Sequence, residues 1–143
     1  EIMPSLVGSE MCIRDSSTRP YQHVLEPLYA YLMIAKAQYG DIKFADCYNV
    51  GPDECDCITT GELVDLFVKY AGNINRIDKS EKNAVHEANF LKLDCSKLKT
   101  VFGWKPHWHV DDAVKKTVEW SCCYMENGNV RDCMDRQIEE FLK

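Results

Sequence analysis

The sequence contains no glycine-rich turn of the G-x-G-x-x-G or G-x-x-G-x-x-G type. It therefore has no visible means of cradling a dinucleotide pyrophosphate on a helix N-terminus, and a complete nicotinamide enzyme is excluded. No apolar run approaches the ~20 residues that span a bilayer, and no segment has the basic, apolar, small-residue order of a signal peptide. Basic side chains are in deficit, 17 Lys and Arg against 23 Asp and Glu, for a net charge of −6. Duplex nucleic acid and anionic membranes both need a basic face, so neither is an expected partner. Asn-x-Ser/Thr sequons are absent, as are C-x-x-C pairs. Together these absences predict a cytoplasmic protein with reduced thiols and no metal site.

What remains is the profile of one soluble globular domain: 143 residues, 45% apolar and 28% charged. An acidic protein can still hold a phosphate locally through one or two placed arginines. Residues 1–16 fit poorly with the rest of the chain, since no apolar period runs through them. The stretch SLVGSEMCIRDS resembles translated sequencing-adapter DNA, so residues 1–16 are set aside as a non-native leader and 17–143 are read as the functional domain.

Apolar residues at Leu25, Leu28, Leu32 and Ala35 have the spacing of a helix face, with Pro27 in the first turn and Gly40 at the end. Asp46 to Pro52 reads as a short buried strand stopped by Gly51-Pro52. Thr59 and Glu62 form a capping box ahead of a helix that buries Leu63, Leu66, Phe67 and Tyr70 and stops near Gly72. Phe90 to Leu93 alternates like a half-exposed strand, and Asp94 caps a helix over 95–102 that closes at Gly103. Asp111 and Asp112 open a helix striped by Val114, Val118, Cys122 and Met125. After the turn pair Asn127-Gly128, a last helix covers about 131–142. The expected fold class is α/β, mostly helical with two or three short strands, too few for a free-standing parallel sheet.

Several chemical motifs fail on inspection. His86-Glu87 begins like a zinc-protease helix, but the residue four after His86 is Phe90, so the second ligand is missing. Cys55, Cys57 and Cys47 combined with His107 and His109 make only a weak metal signal, read as incidental thiols. Tyr39 and Lys43 have Tyr-x-x-x-Lys spacing, but Gly40 interrupts it at a helix end. Trp104 and Trp108 bracket Pro106 and are expected to pack the loop between helices.

Four segments are informative in this order: RPYQHVLEPL from Arg19, YNVGP from Tyr48, HEANFLKLDCSKLK from His86, and FGWKP from Phe102. Over about Ser17 to Lys143 they resemble the C-terminal third of the CDP-glucose 4,6-dehydratases, a branch of the extended short-chain dehydrogenase/reductase group of nucleotide-sugar enzymes. The resemblance implies the C-terminal substrate-binding part of a Rossmann-type enzyme, with NAD and the catalytic residues held by an upstream half. It also implies a nucleotide-sugar substrate and, for the whole enzyme, a homo-oligomer. In that family hydride passes from C4 of the hexose to NAD, water is lost across C5 and C6, and the hydride returns to C6. No catalytic, NAD-binding or metal residue is assigned within this chain.

By position in the family's motif, Arg19 matches the arginine that approaches the nucleotide diphosphate, a role that suits its planar fork. Pairing with Glu26 is its bland alternative. Tyr21 stands where many members carry Trp. Gln22 and His23 are candidates for the ribose, phosphate or base, or for a helix cap. Asn49 is a candidate nucleotide contact or a turn former, and His86 and Glu87 match a segment bordering the nucleotide. Two other readings remain: a different nucleotide-sugar epimerase or decarboxylase, and a non-enzymatic helical binding module.

Overall fold

The computed structural model describes residues 17–72 and 91–143. In chain order the elements are β1 (Thr18–Pro20), α1 (Leu25–Gly40), two 3-10 turns (Ile42–Phe44 and Glu54–Asp56), β2 (Cys57–Thr59), α2 (Thr60–Ala71), α3 (Ser96–Phe102), α4 (Val110–Met125) and α5 (Val130–Phe141). The two strands pair antiparallel, with Arg19 opposite Ile58. The architecture is mostly helical with one small sheet, as the α/β expectation has it, but the strands differ in place.

Residues 46–52 form no strand, and neither do Leu91–Leu93. A strand needs a partner ladder to satisfy its amides. Here isolated bonds stand in place of one: Leu91 N donates to Thr18 O at 3.2 Å, and Asn49 Nδ2 to Asp94 O at 3.1 Å. The actual strands, three residues each, are too short for alternation to reveal them.

Helix ends follow local chemistry closely. Thr59 Oγ1 accepts from Glu62 N, and the Glu62 carboxylate accepts in return from Thr59 N at 2.7 Å, completing the box that starts α2. Asp94 accepts from Ser96 N at 2.9 Å before α3. Gly72 and Gly103 close α2 and α3 in the left-handed region, at φ 75° and 64°, a conformation that costs any residue with a Cβ.

The core has two centres. Ala30 of α1, Leu98 of α3 and Trp104 are buried together, with Met33, Ile34, Tyr48, Val50 and Phe102 around them. Val110, Val114 and Val118 of α4 form the second, covered by α2 through Leu63, Leu66, Phe67 and Tyr70 and by Tyr21 and Ile58 of the β-ribbon side. Trp104 thus packs as expected. In α1 the inward face differs from the expected one: Leu28 is 48% and Leu32 71% exposed, and Ala35 is exposed too, whereas Glu26 and Ala30 are fully buried. The helix is apolar on nearly every side, so spacing alone could not choose the face. On α4 the stripe holds through Val118, but Cys122 and Met125 are exposed beyond the reach of α2.

Candidate functional site

Two buried carboxylates fix the loop that enters α4. Glu26, with no solvent exposure, accepts through Oε1 from His107 N at 2.9 Å and Trp108 N at 2.7 Å. Burial pushes its carboxyl above the usual carboxylate range, and the two amides oppose that only partly. Asp56, 2% exposed, accepts from Val110 N and faces His109 Nδ1, both at 2.9 Å. Residues 107–110 are therefore gripped from α1 on one side and from the turn before β2 on the other. Rings complete the grip: His107 and Trp108 pack on Phe141 with centroids 4.6 and 5.1 Å apart, and Trp108 meets His23 edge-on at 5.0 Å.

Sequence reasoning misses these two acids, although a signal exists for one. Glu26 is the single carboxylate in the apolar run VLEPLYAYLMIA, and a charge there is costly to bury unless backbone donors meet it. Its burial also removes the alternative in which it pairs with Arg19 on the surface.

Of the sequence-derived site residues, Arg19 lies in β1 and donates from its guanidinium to Thr18 O at 3.0 Å. Tyr21 bonds Thr60 Oγ1 at 3.2 Å and joins the α4 core, so its ring is held rather than presented. Gln22 Oε1 is buried without a hydrogen-bond partner among the described residues. His23 takes the capping alternative: Nδ1 accepts from Leu25 N at 3.3 Å at the start of α1. With Nδ1 accepting, the neutral ring carries its proton on Nε2. Burial, reinforced by the Lys116 charge, pushes the imidazole below its ordinary value and favours this neutral form. His23 also lines an apolar cleft of about 310 Å³ with Val24, Thr117, Trp120, Met134 and Ile138. Asn49 uses its amide on Asp94 O and sits at no strand end. His86 and Glu87 lie outside the described residues, as do residues 1–16, expected from the sequence to be a non-native leader.

The segment Leu91–Cys95 connects three of the matched motifs. At one end it bonds β1 through Leu91, and at the other it meets the 48–52 loop through Asn49 and Gly51. A Cβ on Gly51 would stand 3.1 Å from Leu93 Cδ1 and 3.2 Å from Cys95 Sγ, so the passage is tight and those side chains would have to give by a few tenths of an ångström. Leu91–Cys95 thus touches β1 at one end and the 48–52 loop at the other, through bonds to the main chain.

Away from it, Tyr39 is 97% exposed and Lys43 pairs with Asp41 at 2.8 Å, which leaves them no shared helix face. Of the cysteine–histidine set, His107 is committed to the aromatic cluster, and Cys57 points its thiol to Asp53 O at 3.8 Å. Cys55, Asp56 and His109 do come together, with one ligand atom of each within 4.8 Å of the others. The Asp56 carboxylate raises the His109 imidazole above its ordinary value. No helix of the described residues is long and apolar enough to cross a membrane.

No protein-family model matches the sequence. The chain is 35% identical over 127 residues, 88% of its length, to the CDP-glucose 4,6-dehydratase of Salmonella typhimurium. A 43-residue stretch, 30% of the chain, is 44% identical to a probable dTDP-glucose 4,6-dehydratase of Sinorhizobium fredii and covers 11% of that protein. The chain spans 35% of the length of the Salmonella protein, so the likeness concerns one part of that enzyme.

Proposed function

We propose that this chain supplies the nucleotide-sugar-binding side of a CDP-glucose 4,6-dehydratase, an enzyme that converts CDP-glucose to CDP-4-keto-6-deoxyglucose with loss of one water. The similarity over 88% of the chain carries the reading. The bonds from Leu91–Cys95 to β1 at one end and to the 48–52 loop at the other support it, because they tie the matched motifs to one another through a single connecting segment. In this reading the Arg19 guanidinium takes the diphosphate, for which its fork provides two parallel donors. Gln22 and His23 face the ribose or base, His23 as a neutral Nε2–H donor. Asn49, His86 and Glu87 border the nucleotide, and Tyr21 orients β1 through Thr60. In this reading the protein works in the cytoplasm and the whole enzyme is a homo-oligomer.

The reaction class calls for NAD, whose chemistry is to carry the hydride between C4 and C6. The residues present do not fit it. Among the described residues, the glycines with left-handed backbone, Gly72 and Gly103, end helices instead of opening one, and the sequence has no glycine-rich turn. In this reading NAD belongs to the half of the enzyme upstream of this chain.

The test is to express the whole reading frame that encodes this chain and incubate it with NAD and either CDP-glucose or dTDP-glucose. The expected product from CDP-glucose is a 4-keto-6-deoxy sugar, detected by the mass loss of one water. Arg19→Ala should raise KM roughly tenfold or more while the fold is kept, the scale of one charge-assisted hydrogen bond. Turnover of dTDP-glucose alone would shift the assignment to the thymidine nucleotide that the second relative's name favours. Absence of dehydration with either sugar nucleotide overturns the reading.

A further inference from the structure

We propose that Cys55, Asp56 and His109 form a binding site for a divalent cation of zinc type, with three protein donors and a fourth position open to water. The donors come from two separate places, the 3-10 turn Glu54–Asp56 and the N-cap of α4, 53 residues apart along the chain. Their geometry is close to what such an ion requires. Bonds of about 2.0–2.3 Å at tetrahedral angles set ligand atoms roughly 3.3–3.7 Å apart. Cys55 Sγ lies 3.8 Å from His109 Nδ1, and Asp56 Oδ2 lies 2.9 Å from the same nitrogen, so a small opening of the Asp–His pair seats the ion.

Two further features single this cluster out. First, Asp56 is 2% exposed and its other oxygen is anchored by Val110 N at 2.9 Å, which fixes the carboxylate as an outer-shell bond does in metal sites. Second, thiol and carboxylate meet the imidazole at one nitrogen. A Cys–His–Asp proton relay needs them on opposite ring nitrogens, so the arrangement does not suit nucleophilic catalysis. Convergence on one point suits coordination. A thiolate, an imidazole and a carboxylate make a borderline set that favours zinc or cobalt over calcium or magnesium. The ion would tie the turn before β2 to the start of α4, and because the unfolded chain lacks the site, binding stabilises the fold. Such a site stands or falls independently of the enzymatic reading.

The test is titration of the reduced 143-residue chain with Co²⁺, followed by absorption and by thermal unfolding. One equivalent should produce a thiolate-to-cobalt charge-transfer band together with tetrahedral ligand-field bands, and Zn²⁺ should abolish both. Because Asp56→Ala could unfold the chain, the diagnostic variants are Cys55→Ser and His109→Gln, both at exposed positions. Each should lose the band at one equivalent of cobalt and remove the metal-dependent rise in melting temperature, because a missing ligand weakens binding by more than the roughly tenfold to hundredfold that loss of an outer-shell partner costs. Cys47→Ser and Cys57→Ser should keep both. A spectrum without a thiolate band, or one that survives in Cys55→Ser or His109→Gln, overturns the proposal.

Discussion

Replacing Glu26 separates hydrogen bonding from charge in the clamp on residues 107–110. Glu26→Ala removes both acceptor bonds and leaves the His107 and Trp108 amides without their partner. Two charge-assisted bonds at roughly 1.5 kcal/mol each give a loss of about 3 kcal/mol, with the side-chain cavity adding to it. Glu26→Gln keeps an oxygen for the two amides and removes the titration. Its effect should depend on pH, with a definite sign. The folded carboxyl has a raised pKa, so its contribution is fully present below about pH 4.5, where the unfolded chain is also protonated. That contribution falls as pH rises through the folded value, because the unfolded chain ionises first. The wild type should therefore lose ground to Glu26→Gln as pH rises above about 4.5, at no more than ~1.4 kcal/mol per pH unit from a single group. Urea unfolding followed by tryptophan fluorescence reports this directly, since Trp104 and Trp108 stand in and beside the clamped loop. A stability difference that is flat with pH, or that moves in favour of the wild type as pH rises, would refute the idea that desolvation outweighs the two amides.

Two more outcomes are expected. Thr59→Ala removes the side-chain acceptor for Glu62 N at the start of α2 and should cost about 1 kcal/mol in urea unfolding, whereas Thr59→Ser should recover most of it. Leu32→Lys, at a side chain 71% exposed on α1, should change unfolding free energy by less than about 0.5 kcal/mol and reduce self-association in sedimentation experiments.

The helices are legible in the sequence because their ends are written in short-range chemistry. Thr59 with Glu62, Asp94 before Ser96, Gly103, and the Asn127-Gly128 turn each act within a few residues. Residues 46–52 and 91–93 mislead for the opposite reason: whether an extended apolar run becomes a strand depends on a distant neighbour that local pattern does not contain. The face of α1 is illegible because Leu25, Leu28, Tyr31 and Leu32 are as apolar as Ala30, Met33 and Ile34. At the candidate site, the run from Arg19 to His23 does sit at the junction of β1 and α1. The commitment of His23 to Leu25 N and of Asn49 to Asp94 O depends on atomic positions that spacing cannot supply. Asp56 escapes notice between two cysteines, since nothing nearby marks it as the partner of a helix start 54 residues on.

The acid-gripped loop also bears on how fast the chain reaches its native form. The bonds to His107 and Trp108 close spans of 81 and 82 residues, and the bond to Val110 closes one of 54. Such closures lose entropy before they return any contact, so they belong to the slow, late part of assembly. Helices α2 and α3, with their own terminal signals, can form early, while the Trp-Lys-Pro-His-Trp bend waits for α1 and the turn before β2 to arrive together. In pulse-labelling hydrogen exchange, the amides of residues 107, 108 and 110 should gain protection after those inside α2.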